Sequence, residues 1–166
     1  MVDKKSITLR YLPVRLNRKD RKTQRNELMK SRRAYKRGIY HTREKVGSFV
    51  SKKSKFITKA EKIYGVESIG ATNKLAKATG CSKKALSKII NKGAGAYYSS
   101  GSSPNQTAQS WGVARLASAI TAGKAAAVDY KILEKGCGRN SKALRLAKKA
   151  KAKHGHGTRR VPKVNI

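Results

Sequence analysis

Acid is what this sequence has least of. Eight Asp and Glu stand against 41 Lys and Arg in 166 residues, a formal net charge of +33. A free chain so charged repels itself, and compacts throughout only against a polyanion or an acidic surface. Long apolar runs are missing too. No stretch approaches the roughly 20 residues that a membrane span needs. Residues 2–10 have no apolar core, so no signal peptide is expected. Hydrophobic residues make up 38% of the chain and aromatics 6%, which limits the expected core to roughly half its length. Cysteine is rare. Cys81 and Cys137 lie far apart, each without a second ligand beside it, which is neither a disulfide framework nor a zinc pattern. Two free thiols in a reducing host compartment are the expectation.

The same scarcity argues against catalysis. The acids are Asp3, Asp20, Glu27, Glu44, Glu61, Glu67, Asp129 and Glu134. Only Asp129 and Glu134 are close in sequence, and they read as a helix cap and a surface residue. Ser99, Ser100, Ser102 and Ser103 have neither a Gly-x-Ser-x-Gly elbow nor a suitably placed histidine. Gly93-Ala-Gly-Ala-Tyr-Tyr lacks the Lys-Ser/Thr of a phosphate loop. His154 and His156 stand beside glycines without Cys or carboxylate partners, so they are not read as metal ligands. The expectation is a protein that is no enzyme, with no catalytic residue, metal, cofactor or small-molecule substrate.

What is present is cationic charge, unevenly spread. Residues 1–65 hold 21 basic and 5 acidic residues, residues 66–135 hold 10 and 3, and residues 136–166 hold 10 and none. This predicts a mainly α protein in three parts. A basic N-terminal arm (1–65) carries one or two helices. A compact helical domain (66–135) follows, and then a basic Ala/Lys-rich C-terminal tail (136–166). The arms are expected to be extended or helical.

Between Lys92 and Arg115 no residue is charged. This stretch holds the only tryptophan, Trp111, and the only adjacent tyrosines, Tyr97 and Tyr98. Four glycines and Pro104 accompany them. It reads as a packed, turn-rich knuckle that anchors the chain, because glycine supplies positive φ while aromatics bury area. Trp111 is expected as a core anchor, with base stacking as the alternative.

In the N-terminal part, Ile7, Leu9 and Tyr11 alternate with polar residues, as in a short strand or extended arm that Pro13 stops. Asn17, with Asp20 three residues on, opens a helix over Arg18–Lys36 that ends before Gly38. Its apolar residues are few and its charges fall all round, so it needs a partner along its length. Phosphates, an acidic groove or plain solvent are all open to it. Residues 40–55 read as loop. Phe56, Ile57, Ala60, Ile63 and Tyr64 form an apolar stripe on a second helix, begun at Ser54 or Thr58 and closed by Gly65.

Residues 72–93 form two helices about a glycine turn. Leu75 and Ala76 face inward on the first, Gly80 turns, and Cys81 fills a small slot. Ser82 caps a second helix that buries Ala85, Leu86 and Ile89. The order of Ala, Gly and Ser resembles a bacterial or phage helix-turn-helix. If it reads DNA, Lys83, Lys84 and Lys88 are exposed, and lysine favours phosphate over base edges. A plain helical hairpin of the core is the other reading. Residues 140–153 resemble in composition the basic tails of linker histones.

A broader likeness rests on Ala96-Tyr97-Tyr98-Ser99-Ser100-Gly101-Ser102-Ser103-Pro104-Asn105 and Ser110-Trp111-Gly112-Val113-Ala114-Arg115-Leu116-Ala117-Ser118. These resemble a small domain encoded by large double-stranded DNA viruses of algae and protists and by some tailed phages. Lys30-Ser-Arg-Arg-Ala-Tyr-Lys36 resembles the giant-virus versions. The chain departs at Ser103, where an arginine is expected before the proline, so no anion-binding role is carried over to the loop. The resemblance implies viral origin and a place in the virion, more than a mechanism.

The leading expectation is therefore a basic virion structural protein, in the capsid interior or nucleoprotein core, that binds polyanions, chiefly packaged DNA. The cations expected to carry this are Arg18, Arg21, Lys22, Arg25, Arg32, Arg33, Lys36, Arg37, Lys83, Lys84, Lys88, Arg145, Lys148 and Lys149. The expected structural core is Trp111, Tyr97, Tyr98, Leu75, Leu86 and Ile89. One alternative is a minor capsid protein whose arms cement acidic surfaces of neighbouring capsid proteins. A second is a helix-turn-helix regulator.

Overall fold

In the computed structural model, residues 6–155 and 162–165 are described. The chain is mainly α. Eight helices and one two-stranded sheet are found among the described residues. They sort into two compact units whose boundaries differ from the sequence expectation. The first unit takes residues up to Lys52, then Gly95–Ala108, then the C-terminal segment. The second takes Lys53–Ala94 and Gln109–Arg159.

In the first unit, β1 (Ser6–Thr8) pairs antiparallel with β2 (Lys163–Asn165), with Ile7 opposite Val164. A 3₁₀ turn follows over Leu9–Tyr11. Helix α1 spans Arg18–Lys36, and the Asn17 side chain caps it by accepting from the Asp20 amide. It buries Gln24, Leu28, Ser31 and Ala34. The partner this polar helix needs is its own chain. Ile7, Leu12, Leu16, Leu28 and Val46 form one core cluster, with Tyr11, Met29 and Phe49 packed against it.

Residues 39–52 have almost no regular structure, so their backbone groups must be satisfied from outside. Asn105 supplies much of this. Its Oδ1 accepts from the Val46 amide at 2.7 Å, and its Nδ2 donates to the carbonyls of Val46 and Phe49. Asn105 sits at φ 64°, a conformation that asparagine tolerates better than most residues. The neutral stretch thus does anchor the chain, but not as one continuous knuckle.

Helix α4 (Lys83–Ser99) runs through its first third. Gly93 and Gly95 are therefore helical residues, and the turn is confined to residues 100–107. The α4 residues 83–94 belong to the second unit, and 95–99 to the first.

The second unit opens with α2 (Lys55–Tyr64), capped by Ser54 and closed by the left-handed Gly65. Its apolar stripe packs as its spacing predicts. Helix α3 (Asn73–Thr79) is capped by Thr72 and ended by the left-handed Gly80. Ser82 Oγ then accepts from the Ala85 amide at the start of α4. Next come α5 (Ala108–Ala119), α6 (Lys124–Val128), α7 (Tyr130–Gly136) and α8 (Lys142–His154). Leu75, Leu86, Ile89, Leu116, Ile120 and Leu133 are fully buried in one cluster. Burying each such side chain contributes about 1.5–3 kcal/mol.

Three further expectations change. The C-terminal tail is not uniformly a tail, because Ala143, Leu144, Ala147 and Ala150 bury one side of α8 in this cluster, beside α6 and α7. Alanine allows that close approach where a larger side chain would hold the helices apart. Cys81 and Cys137 are not free thiols but a disulfide. The helices bring together what 56 residues separate, and spacing alone carries no trace of it. The reducing compartment rested on free thiols and loses that support. Trp111 is only partly buried and lies outside both core clusters. Tyr97 is fully buried, while Tyr98 is half-buried.

Candidate polyanion interface

Helix α1 turns about 100° per residue. Counted so, Arg18, Lys22, Arg25, Arg33 and Lys36 fall within about 80° of its circumference. All five are exposed. They form a stripe roughly 27 Å long, away from the side that carries Gln24, Leu28 and Ser31. The charges that seemed to fall all round the helix are thus sorted by what the helix buries. Arg37, just past its end, is also exposed.

Arg21 and Arg32 are drawn out of the stripe. Arg21 donates to the carbonyls of Leu12 and Pro13. Arg32 donates to the Ser100 carbonyl at 2.8 Å and to that of Ser6. Burial also lowers the pKa of Arg32 below the usual arginine value. These two arginines, expected among the polyanion-binding cations, each hold backbone carbonyls.

In the second unit, Lys83, Lys84 and Lys88 are exposed on the first two turns of α4. The positive end of the helix dipole lies there as well. Arg145, Lys148 and Lys149 are exposed on α8, opposite its alanine side.

Four of the seven described acids are engaged within the fold, while Glu44, Glu67 and Glu134 are exposed. Asp20 accepts from the Ser48 amide at 2.7 Å, and hydrogen bonds from Ser48 lower its pKa. Glu27 accepts from His41 Nε2 and from the Glu44 amide. Burial pushes its carboxyl up, but those hydrogen bonds and the charges of His41 and Lys30 outweigh it, and the net direction is down. Glu61 pairs with Lys53 at 2.6 Å. Asp129, expected as a helix cap, makes no capping bond. Instead it takes Arg115 on both oxygens and Lys92 on Oδ1, all at 2.8 Å. Burial raises its pKa, and the bonds and charges of Arg115 and Lys92 more than reverse that.

Sequence reasoning missed Arg43, which is only 7% exposed. Its guanidinium donates to Ser31 Oγ, to the Tyr97 carbonyl and to Ser102 Oγ. It lies 3.7 Å from the centre of the Tyr97 ring, a cation–π distance. The Tyr97 hydroxyl accepts from the Arg43 amide. This buried cation joins α1, the loop and the neutral stretch. Its one available signal was its place beside Glu44.

Among the described residues no group of three or more His, Cys, Asp and Glu could hold a metal ion. His154 is half-buried at the end of α8, while His156 and Asp3 lie outside the described residues. No helix among the described residues is long and apolar enough to cross a membrane.

The fold and these surfaces define a small, mainly α, strongly basic protein with exposed cationic helix faces. The chain belongs to the family of unknown function DUF5824, whose model matches residues 9–153. No curated protein and no solved structure matches it.

Proposed function

We propose that this is a non-enzymatic, basic structural protein of a large DNA virus particle, which binds polyanions, chiefly the packaged genome. The observation that carries the reading is the α1 stripe. Five exposed cations share one face of a 19-residue helix, and none of them is paired with a carboxylate among the described residues. A regular row of mobile cations on a rigid rod suits a backbone whose charges also repeat regularly. Twelve of the fourteen cations singled out in the sequence are exposed, enough for on the order of 10 phosphate contacts.

Filter binding to random duplex DNA between low and moderate salt tests this. Log affinity should fall with log salt with a slope near −9. Replacing Arg18, Lys22, Arg25, Arg33 and Lys36 by Gln should flatten it by about 4 to 5. A shallow slope in the native protein would overturn the reading and favour the minor-capsid alternative. A second reading rests on the α3–α4 pair, whose left-handed Gly80 and Ser82 cap would suit a helix-turn-helix. In the same assay that reading requires one duplex sequence bound about 10³-fold tighter than random DNA.

A further inference from the structure

The C-terminal end of α1 carries a patch that charge neutralisation does not use. Tyr35 lies in the last turn of α1 and is 39% exposed, while Tyr40, just beyond, is 68% exposed. Their ring centroids are 6.2 Å apart. The Tyr40 ring lies 5.1 Å from that of Tyr98, and Tyr98 meets Tyr97 edge to face at 5.0 Å. Tyr97 in turn is fully buried beneath the Arg43 guanidinium. A row of four rings thus runs from a fixed interior anchor out to solvent. Lys36 and Arg37, which lie between Tyr35 and Tyr40 in sequence, are exposed.

Contiguous exposed aromatic rings mark an interaction site where scattered single ones would not. Ring faces flanked by cations are instead the arrangement that takes unpaired bases, because every base has a π face and every nucleotide a phosphate. A duplex hides its base faces, so it can use the cations but not the rings. The nearest acid in this part of α1 is Glu27, which is engaged by His41 and the Glu44 amide and so repels a phosphate less than a free carboxylate would.

We propose that Tyr40, with Tyr35, forms a stacking site for single-stranded nucleic acid, whose phosphates meet Lys36 and Arg37 at the end of α1. This rests on the polyanion reading above and adds a preference for unpaired strands. Ring spacing and exposure allow one or two bases to stack. The protein then grips a single strand by ring faces and by the cations that flank them.

The test is fluorescence anisotropy on the full chain at one fixed salt concentration, with labelled dT20, rU20 and a 20-base-pair duplex as probes. Tyr40→Ala should weaken binding to the single strands about ten-fold and change duplex binding less than two-fold. Tyr40→Phe keeps the ring and should bind as the native protein does. A loss on only one of dT20 and rU20 would support the site and name its strand. Equal losses on strand and duplex, or none on either strand, would overturn the stacking site. In the second case duplex binding by the native protein would leave the polyanion reading standing. Failure of the native protein to bind any probe would overturn both.

Discussion

Asp129 is the clearest case of one residue answering to its surroundings rather than to its place in the chain. Its position before α7 suggested a cap, yet its carboxylate is fully buried between Arg115 and Lys92. An unpaired buried charge is costly, and removing one partner of a buried pair leaves the other uncompensated. Lys92 and Arg115 are partly exposed and can rehydrate, so Asp129→Asn should cost about 1.5–3 kcal/mol of stability in chemical denaturation. The pH dependence has a definite sign. The folded pKa lies below the unfolded one, so the stabilisation is present above the ordinary aspartate pKa of about 3.9. It is lost as pH falls through the lower, folded value. Native protein should lose stability steeply below about pH 4, and Asp129→Asn should flatten that acid limb. Arg43 carries the same lesson with the opposite sign. It is a cation in a highly cationic chain, but neutral acceptors and a tyrosine ring hold it inside.

Elements were read well where capping chemistry is local. Asn17, Ser54, Thr72 and Ser82 begin helices, and Gly65 and Gly80 end them, as their residue types predict. The neutral stretch misled because glycine has two uses. Gly93 was read as a turn residue, but it is a buried helical residue where bulk is excluded. A Cβ there would lie 2.6 Å from Gly112 Cα and 3.2 Å from Arg115 Cβ. Gly95, two residues on, would meet nothing within 4 Å. The two positions therefore make a matched pair. Gly95→Ala should raise thermal stability, by about 0.5–1 kcal/mol, because alanine loses less backbone entropy in a helix. Gly93→Ala should lower it despite the same propensity gain, since overpacking costs about 1–3 kcal/mol. Equal shifts in the two melting temperatures would show that α4 does not pack at Gly93.

At the scale of the molecule, a net charge of +33 opposes folding, and the fold meets this with covalent and polar ties as well as a hydrophobic core. The Cys81–Cys137 bond closes a loop spanning 56 residues. It joins the turn before α4 to the segment after α7, where the Ser82 amide also donates to the Gly136 carbonyl at 2.8 Å. A loop of that length contributes about 4 kcal/mol through the unfolded state. Dithiothreitol, or the paired change Cys81→Ser with Cys137→Ser, should lower the denaturation midpoint accordingly. A thiol titration of the denatured, unreduced protein should find no free thiol. Two titratable thiols would show that the bond does not form.

Composition and local pattern determined the helical class, the cap positions, the α3–α4 turn and the excess of cation over acid, because each depends on residues within a turn or two of one another. Tertiary structure alone decided which cations remain outside, that two cysteines meet, that α8 joins a core, and that four tyrosines line up. Those outcomes depend on which faces the packed helices cover, and that is a property of distant partners that no short stretch of chain contains.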